Sequence, residues 1–234
     1  MGRIYLVRHG QASLLADDYD ALSAAGIEQS RVVGRWLAAR GQRIEHVVMG
    51  GLNRHAQTAE ACLGELPGHA VPAVVDPDLN EYHHHDMVAR HEPAFADRAA
   101  LQARLRASAN PHKEFQRVFA QAFARWVGGE YDADYQLTWA GFRARCVAAI
   151  ERVAERCGSG QNALVFTSGG PIAAMAQHLL GVPDTSVAAL HFPLFNAGVT
   201  QLLCQPGRIG LSYLNAVGHL EALGADAAHL ITYR

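Results

Sequence analysis

Lysine is all but missing from this chain: Lys113 is its only one, and arginine carries the rest of the positive charge. The formal net charge is −2 and the pI near 6.7, so there is no basic field for a polyanion. No strip of Lys/Arg interleaved with aromatics appears either, which excludes nucleic acid as a partner. No apolar run approaches the ~20 residues that a bilayer-crossing helix needs, so no membrane contact is expected. The first strand begins within a few residues of Met1, leaving no room for a charged segment and an apolar stretch of a secretory leader, and a cytoplasmic protein is expected. Only four cysteines occur, Cys62, Cys146, Cys157 and Cys204, without paired spacing. That argues for reduced, buried or half-buried thiols and against a disulfide scaffold. With 50% hydrophobic and 18% charged residues among 234, the chain can build one sizeable core, and a single domain over 1–234 is the expectation.

What is present is a series of short apolar runs, each ending in residue types that suit an anion. Residues 4–7 (Ile-Tyr-Leu-Val) read as a buried strand running into Arg8-His9-Gly10. Residues 46–49 read as a second strand, followed by Gly50-Gly51 and a helix start with Arg54 in its first turn. Residues 163–167 read as a third, closed by Ser168-Gly169-Gly170-Pro171 and an apolar helix. Ligands of open α/β sheets bind beyond the carboxyl ends of such strands. Arginine offers phosphate a planar fork of donors, and glycines before a proline at a helix start free backbone N–H groups to face an anion. An imidazole can be a nucleophile as well as a base, so His9 beside Arg8 points to a phosphoryl group carried on histidine. Arg8, His9, Gly10, Arg54, Ser168 and Gly169 are thereby expected to form one anion pocket.

Residues 6–12 (LVRHGQA), 20–29 (DALSAAGIEQ) and 54–59 (RHAQTA) resemble the histidine phosphatase superfamily, also called phosphoglycerate mutase-like. The resemblance spans nearly the whole chain. It implies that His9 is the phosphorylated nucleophile, that Arg8 and Arg54 clamp the phosphate, and that Glu81 protonates the leaving oxygen. A phosphorylated small molecule is the implied partner, with no cofactor and no metal. The family's third strand usually ends in Ser-His-Gly-Gly, whose histidine completes the pocket; here Thr167-Ser168-Gly169-Gly170 has serine in its place. Serine donates one hydrogen bond and carries no charge, so Ser168→His is expected to raise turnover. Gln11 and His84 are accessory candidates, because the run His83-His84-His85-Asp86 reads as a loop that brings imidazoles near Glu81.

The expected architecture is three-layer α/β/α with a mostly parallel sheet. Helices are expected over 23–40, 92–105, 111–127 and 138–157, the second and third forming a cap insertion at about 88–130 between the second and third strands. Residues 197–204 and 209–215, joined at Pro206-Gly207, read as an antiparallel edge hairpin. The activity expected is phosphomonoester hydrolysis through phosphohistidine on His9. Its rival is a phosphate-binding or regulatory relative that keeps the pocket without turnover. A phosphoglycerate-type mutase is more remote, because residues 12–19 are short and lack that branch's Trp- and Asn-bearing loop. A serine hydrolase elbow at Ser168 fits worse still, since Phe166 stands where glycine is wanted and two arginines would go unexplained. A second copy of the chain is a candidate partner.

Overall fold

The computed structural model describes residues 1–12 and 20–233. The 12–19 loop that weighs against a mutase lies, apart from Ala12, outside the described residues. Six strands form one sheet in the order β3-β2-β4-β1-β5-β6: β1 Gly2–Arg8, β2 His46–Met49, β3 Ala73–Val75, β4 Asn162–Thr167, β5 Val199–Gln205 and β6 Arg208–Ala216. The first four run parallel, and β5 and β6 close one edge antiparallel. β4 lies between β2 and β1 and is buried along its whole length, which is why it reads as a near-continuous apolar run. The register pairs Arg8 with Thr167 and Met49 with Phe166, so β1, β2 and β4 end side by side.

Side chains alternate across these strands and assign the helices to faces. Tyr5, Val7, Val47, Leu164 and Phe166 pack with α1 Ala24–Ala39 and α2 Asn53–Leu63. Ile4, Leu6, Val48, Ala163 and Val165 pack on the other face, against two further helices described below. α1 starts where Ser23 accepts a hydrogen bond from the Gly26 N–H and ends before Gly41, whose φ of +60° suits glycine.

Between β3 and β4 the chain is helical: α3 His84–His91, α4 Arg98–Ala107, α5 Pro111–Val127 and α6 Trp139–Arg156. After β4 come α7 Gly169–Leu180 and α8 Val187–His191. α6 and α7 cover the second face of the sheet. α3 and α5 share a separate aromatic core with α6, built from Tyr82, Phe123, Trp126, Trp139 and Phe142. α5 begins at Pro111 under an Asn110 cap, and α6 begins after Thr138, as their sequences suggest.

Three expectations need correction. The run His83 to Asp86 is not a loop, because α3 begins at His84, with Asp86 in its first turn and Arg90 and His91 in its last, each sign placed to suit the helix dipole. The helix expected over 92–105 is split by a 3₁₀ turn at Pro93–Ala96, and α4 starts only after Asp97 caps it. β3 is a strand beyond those expected, so the helical insertion follows a third strand rather than the second. All four cysteines are free and buried. The C-terminal stretch folds back: Thr232 accepts from the Asn196 N–H at 2.7 Å through its carbonyl, its hydroxyl bonds Asn196 Oδ1 at 2.9 Å, and Gln29 Nε2 donates to the Leu230 carbonyl at 2.7 Å.

Candidate functional site

β1 delivers His9 to the carboxyl edge of the sheet, where its N–H bonds the Thr167 carbonyl of β4 at 2.9 Å. The ring is 7% exposed, and its Nδ1 lies 2.8 Å from the Gly10 carbonyl. A carbonyl can only accept, so Nδ1 carries the proton and Nε2 keeps a lone pair. Burial holds the His9 pKa well below the usual 6.5, with the charges of Arg8 and Arg54 and the ring of His55 acting the same way against the Gly10 carbonyl. The ring is neutral, and the lone pair of Nε2 is not taken up by the Gly10 contact.

Gly10 has no room for a side chain: a Cβ there would sit 2.2 Å from the Gly26 carbonyl oxygen, at the start of α1. Expected as a phosphate donor, Gly10 instead gives its N–H to Thr58 Oγ1 at 3.1 Å, and Thr58 bonds the Arg54 carbonyl at 2.7 Å. Thr58 thus ties the first turn of α2 to the His9-Gly10 bend. Gln11 is engaged in the same seam, its N–H bonded to Gln29 and its side-chain oxygen accepting from Ser23.

Arg54 is held from behind. The Asp20 carboxylate accepts from Arg54 Nη1 and from the Asn53 N–H, both at 2.7 Å, so one side chain caps α2 and orients the guanidinium. The Arg8 guanidinium bonds the Leu194 carbonyl. Glu81 accepts from the N–H of Gly170, in the first turn of α7, at 3.1 Å, and from the Tyr82 N–H at 3.2 Å. Burial raises its pKa, opposed by the Gly170 N–H, Arg54, the Tyr82 N–H and Arg8. The charges of the two arginines therefore act on both His9 and Glu81. A Cβ on Gly170 would fall 2.0 Å from Glu81 Oε1, so glycine is what lets the carboxyl approach the helix end.

Sequence reasoning missed two imidazoles. His55, beside Arg54 on α2, is fully buried; its Nε2 is 2.7 Å from Ser168 Oγ, and its ring centre is 6.0 Å from that of His9. Burial, then Arg54, lowers its pKa to about 3. His191 on α8 has Nε2 3.3 Å from the Tyr82 hydroxyl and borders Gly169 beside Arg8; burial, then Arg8, lowers it to about 3. The helix period of α2 could have flagged His55, which shares a face with Thr58, Ala59 and Cys62; nothing in a five-residue α8 could flag His191. By contrast His83 and His84 are exposed and His85 half-buried.

Among the described residues no cluster of three His, Cys, Asp or Glu could hold a metal ion, and no helix is long and apolar enough to cross a membrane. A concavity of about 1030 Å³ lies at the opposite end of the sheet around Met1, Cys157 and Arg208 and shares no residue with this cluster. What converges at the strand ends is a neutral imidazole, two guanidinium groups, a helix N-terminus and a carboxyl inclined to hold its proton. Such a set neutralises a doubly charged tetrahedral anion and can both attack it and protonate what leaves.

The sequence model of the histidine phosphatase superfamily (branch 1) matches residues 4–217. The chain is 23% identical, over 92% of its length and 95% of the relative's, to a 2,3-bisphosphoglycerate-dependent phosphoglycerate mutase of Caulobacter vibrioides. Among solved structures, phosphoglycerate mutase from Bacillus anthracis superposes with a TM-score of 0.66 at 18% identity, over 93% of this chain and 94% of that one. Phosphoserine phosphatase from Entamoeba histolytica, solved with 3-phosphoglyceric acid, gives 0.63 at 16% identity, over 94% and 100%. The structural likenesses carry the α/β fold.

Proposed function

The chain belongs to the histidine phosphatase superfamily, and from that premise we propose that it is a metal-independent phosphomonoesterase working through phosphohistidine on His9. The observation that carries this reading is the Nδ1 contact of His9 with the Gly10 carbonyl, inside a cluster that also holds Arg8, Arg54 and Glu81. His9 Nε2 attacks phosphorus in line, while Arg8, Arg54 and the N–H groups around Gly169 hold the equatorial oxygens. Glu81 gives its proton to the departing alkoxide, and then, as a base, takes one from the water that hydrolyses phosphohistidine. The substrate is a phosphorylated small molecule, and residues 88–130 are read as a helical cap within a single domain.

Ser168 is read as standing where the family's second histidine usually stands. A relative that binds phosphate without turning it over is the competing reading, and one experiment separates the two. Incubating the protein with para-nitrophenyl phosphate, without added metal and with chelator present, should release phosphate and leave acid-labile phosphate on His9; His9→Ala should abolish both. Phosphate binding without release, in a folded protein, would overturn the hydrolase reading.

A further inference from the structure

His55 and Ser168 form a buried pair that no step above employs. Their hydrogen bond of 2.7 Å joins α2 to the start of α7, and both residues are completely buried. Burying two polar side chains gains little over apolar groups of similar size, so the pair is poorly explained as a packing device. Two local features show that the backbone makes room for it. A Cβ on Gly50 would sit 2.3 Å from His55 Nδ1, so the imidazole fits only because position 50 lacks a side chain. Ser168 is the N-cap residue of α7, yet it makes no cap hydrogen bond, although serine is among the residues best suited to do so. Its hydroxyl is turned away from its own helix toward His55. Nδ1 lies against the Gly50 backbone without a hydrogen bond of good geometry among the described residues, so the 2.7 Å contact with Ser168 is the well-formed hydrogen bond of this ring.

We propose that His55 is a positioning residue of the phosphoryl site, acting through Ser168 as one donor unit in place of a single side chain at the end of β4. In this arrangement Nε2–H of His55 donates to Ser168 Oγ, and the Ser168 hydroxyl proton is directed at a phosphoryl oxygen. The pair lies beside the nucleophile, the His55 ring centre 6.0 Å from that of His9, with His55 next in sequence to Arg54. The geometry also reverses one expectation from the sequence: Ser168→His alone places a second ring where His55 Nε2 already lies 2.7 Å away, and turnover falls instead of rising.

This inference rests on the phosphatase reading, and its test separates the two. Steady-state kinetics with para-nitrophenyl phosphate, checked for folding by thermal unfolding, should show His55→Asn and Ser168→Ala each lowering kcat on the order of 10²-fold, as loss of one preorganised donor does. KM should move by less than about threefold, and the double variant should lose little more than either single one. Because His55→Ala could disturb α2, the exchanged variant His55→Ala/Ser168→His supplies the independent check: moving the imidazole to β4's end should recover about tenfold in kcat over His55→Ala, which a structural role for His55 would not allow. A folded His55→Asn within about twofold of the parent, or single losses that simply multiply in the double variant, would overturn the proposal. Should the parent release no phosphate at all, the hydrolase reading fails by itself. The pair is then read by inorganic phosphate binding, which His55→Asn should weaken about tenfold if the unit faces the anion; unchanged binding would sink it.

Discussion

At the scale of single residues, the chemistry turns on two groups displaced in opposite directions. Glu81 must hold a proton to act as acid and His9 must lack one on Nε2. Burial raises the first pKa and lowers the second, so both conditions are met between them. The activity should follow a bell lying on the acidic side of neutrality, its acid limb set by His9 and its alkaline limb by Glu81. Glu81→Gln should lower kcat/KM, which reports the transfer to His9 alone, with alkyl phosphates far more than with para-nitrophenyl phosphate, whose leaving group needs no proton; equal losses in kcat/KM would remove Glu81 from the acid role. The Gly10 carbonyl acts on His9 as a protecting group does in synthesis. It occupies one ring nitrogen, so trapped phosphoprotein should contain a single phosphohistidine regioisomer, the Nε2-linked one, which heteronuclear NMR can read. Arg8 and His9 are legible because they stand at the end of the first strand, and Arg54 because it opens the helix that follows the second. His55 is not, since its role depends on which face of α2 meets β4's end, a matter of tertiary packing.

At the scale of elements, the site depends on how α2 is started. Leu52 at its N-cap position supplies no side-chain hydrogen bond, and Asp20, from a distant segment, does so instead while gripping Arg54. Asp20→Ala should cost about 1 kcal/mol through the lost cap. It should also raise KM several-fold as Arg54 swings free, measured by urea unfolding and steady-state kinetics on the same preparation. The helices α1, α5 and α6 could be read from their caps and apolar stripes. β3 could not: a three-residue strand, Ala73–Val75, set between Pro72 and Asp76-Pro77, gives no period to detect. α3 was hidden for a different reason, three histidines in a row resembling a solvated loop until Met87 and Val88 supply the buried face.

At the scale of the whole molecule, the layered α/β architecture followed from the alternation of short apolar strands with helices, whereas the burial of its histidines did not. His55 and His191 are lowered to about 3 and His219 to about 4, burial being the main cause in each. The unfolded chain binds protons on these rings near pH 6.5 while the folded one does not, so stability is fully present above that pH and is lost as pH falls toward the folded values. Each ring should contribute roughly 2 kcal/mol of loss by pH 5. The urea midpoint should therefore drop steeply between pH 6.5 and 4 in phosphate-free buffer, and His55→Asn should flatten that slope. The folded-back C-terminal stretch carries a last consequence. Thr232 holds Asn196, and Asn196 Nδ2 reaches the carbonyl of His9 at 3.3 Å. The nucleophile's backbone is thus guyed from a remote segment: a variant shortened to Ile231 should show a lower kcat than one shortened to Thr232, in steady-state kinetics on folded protein.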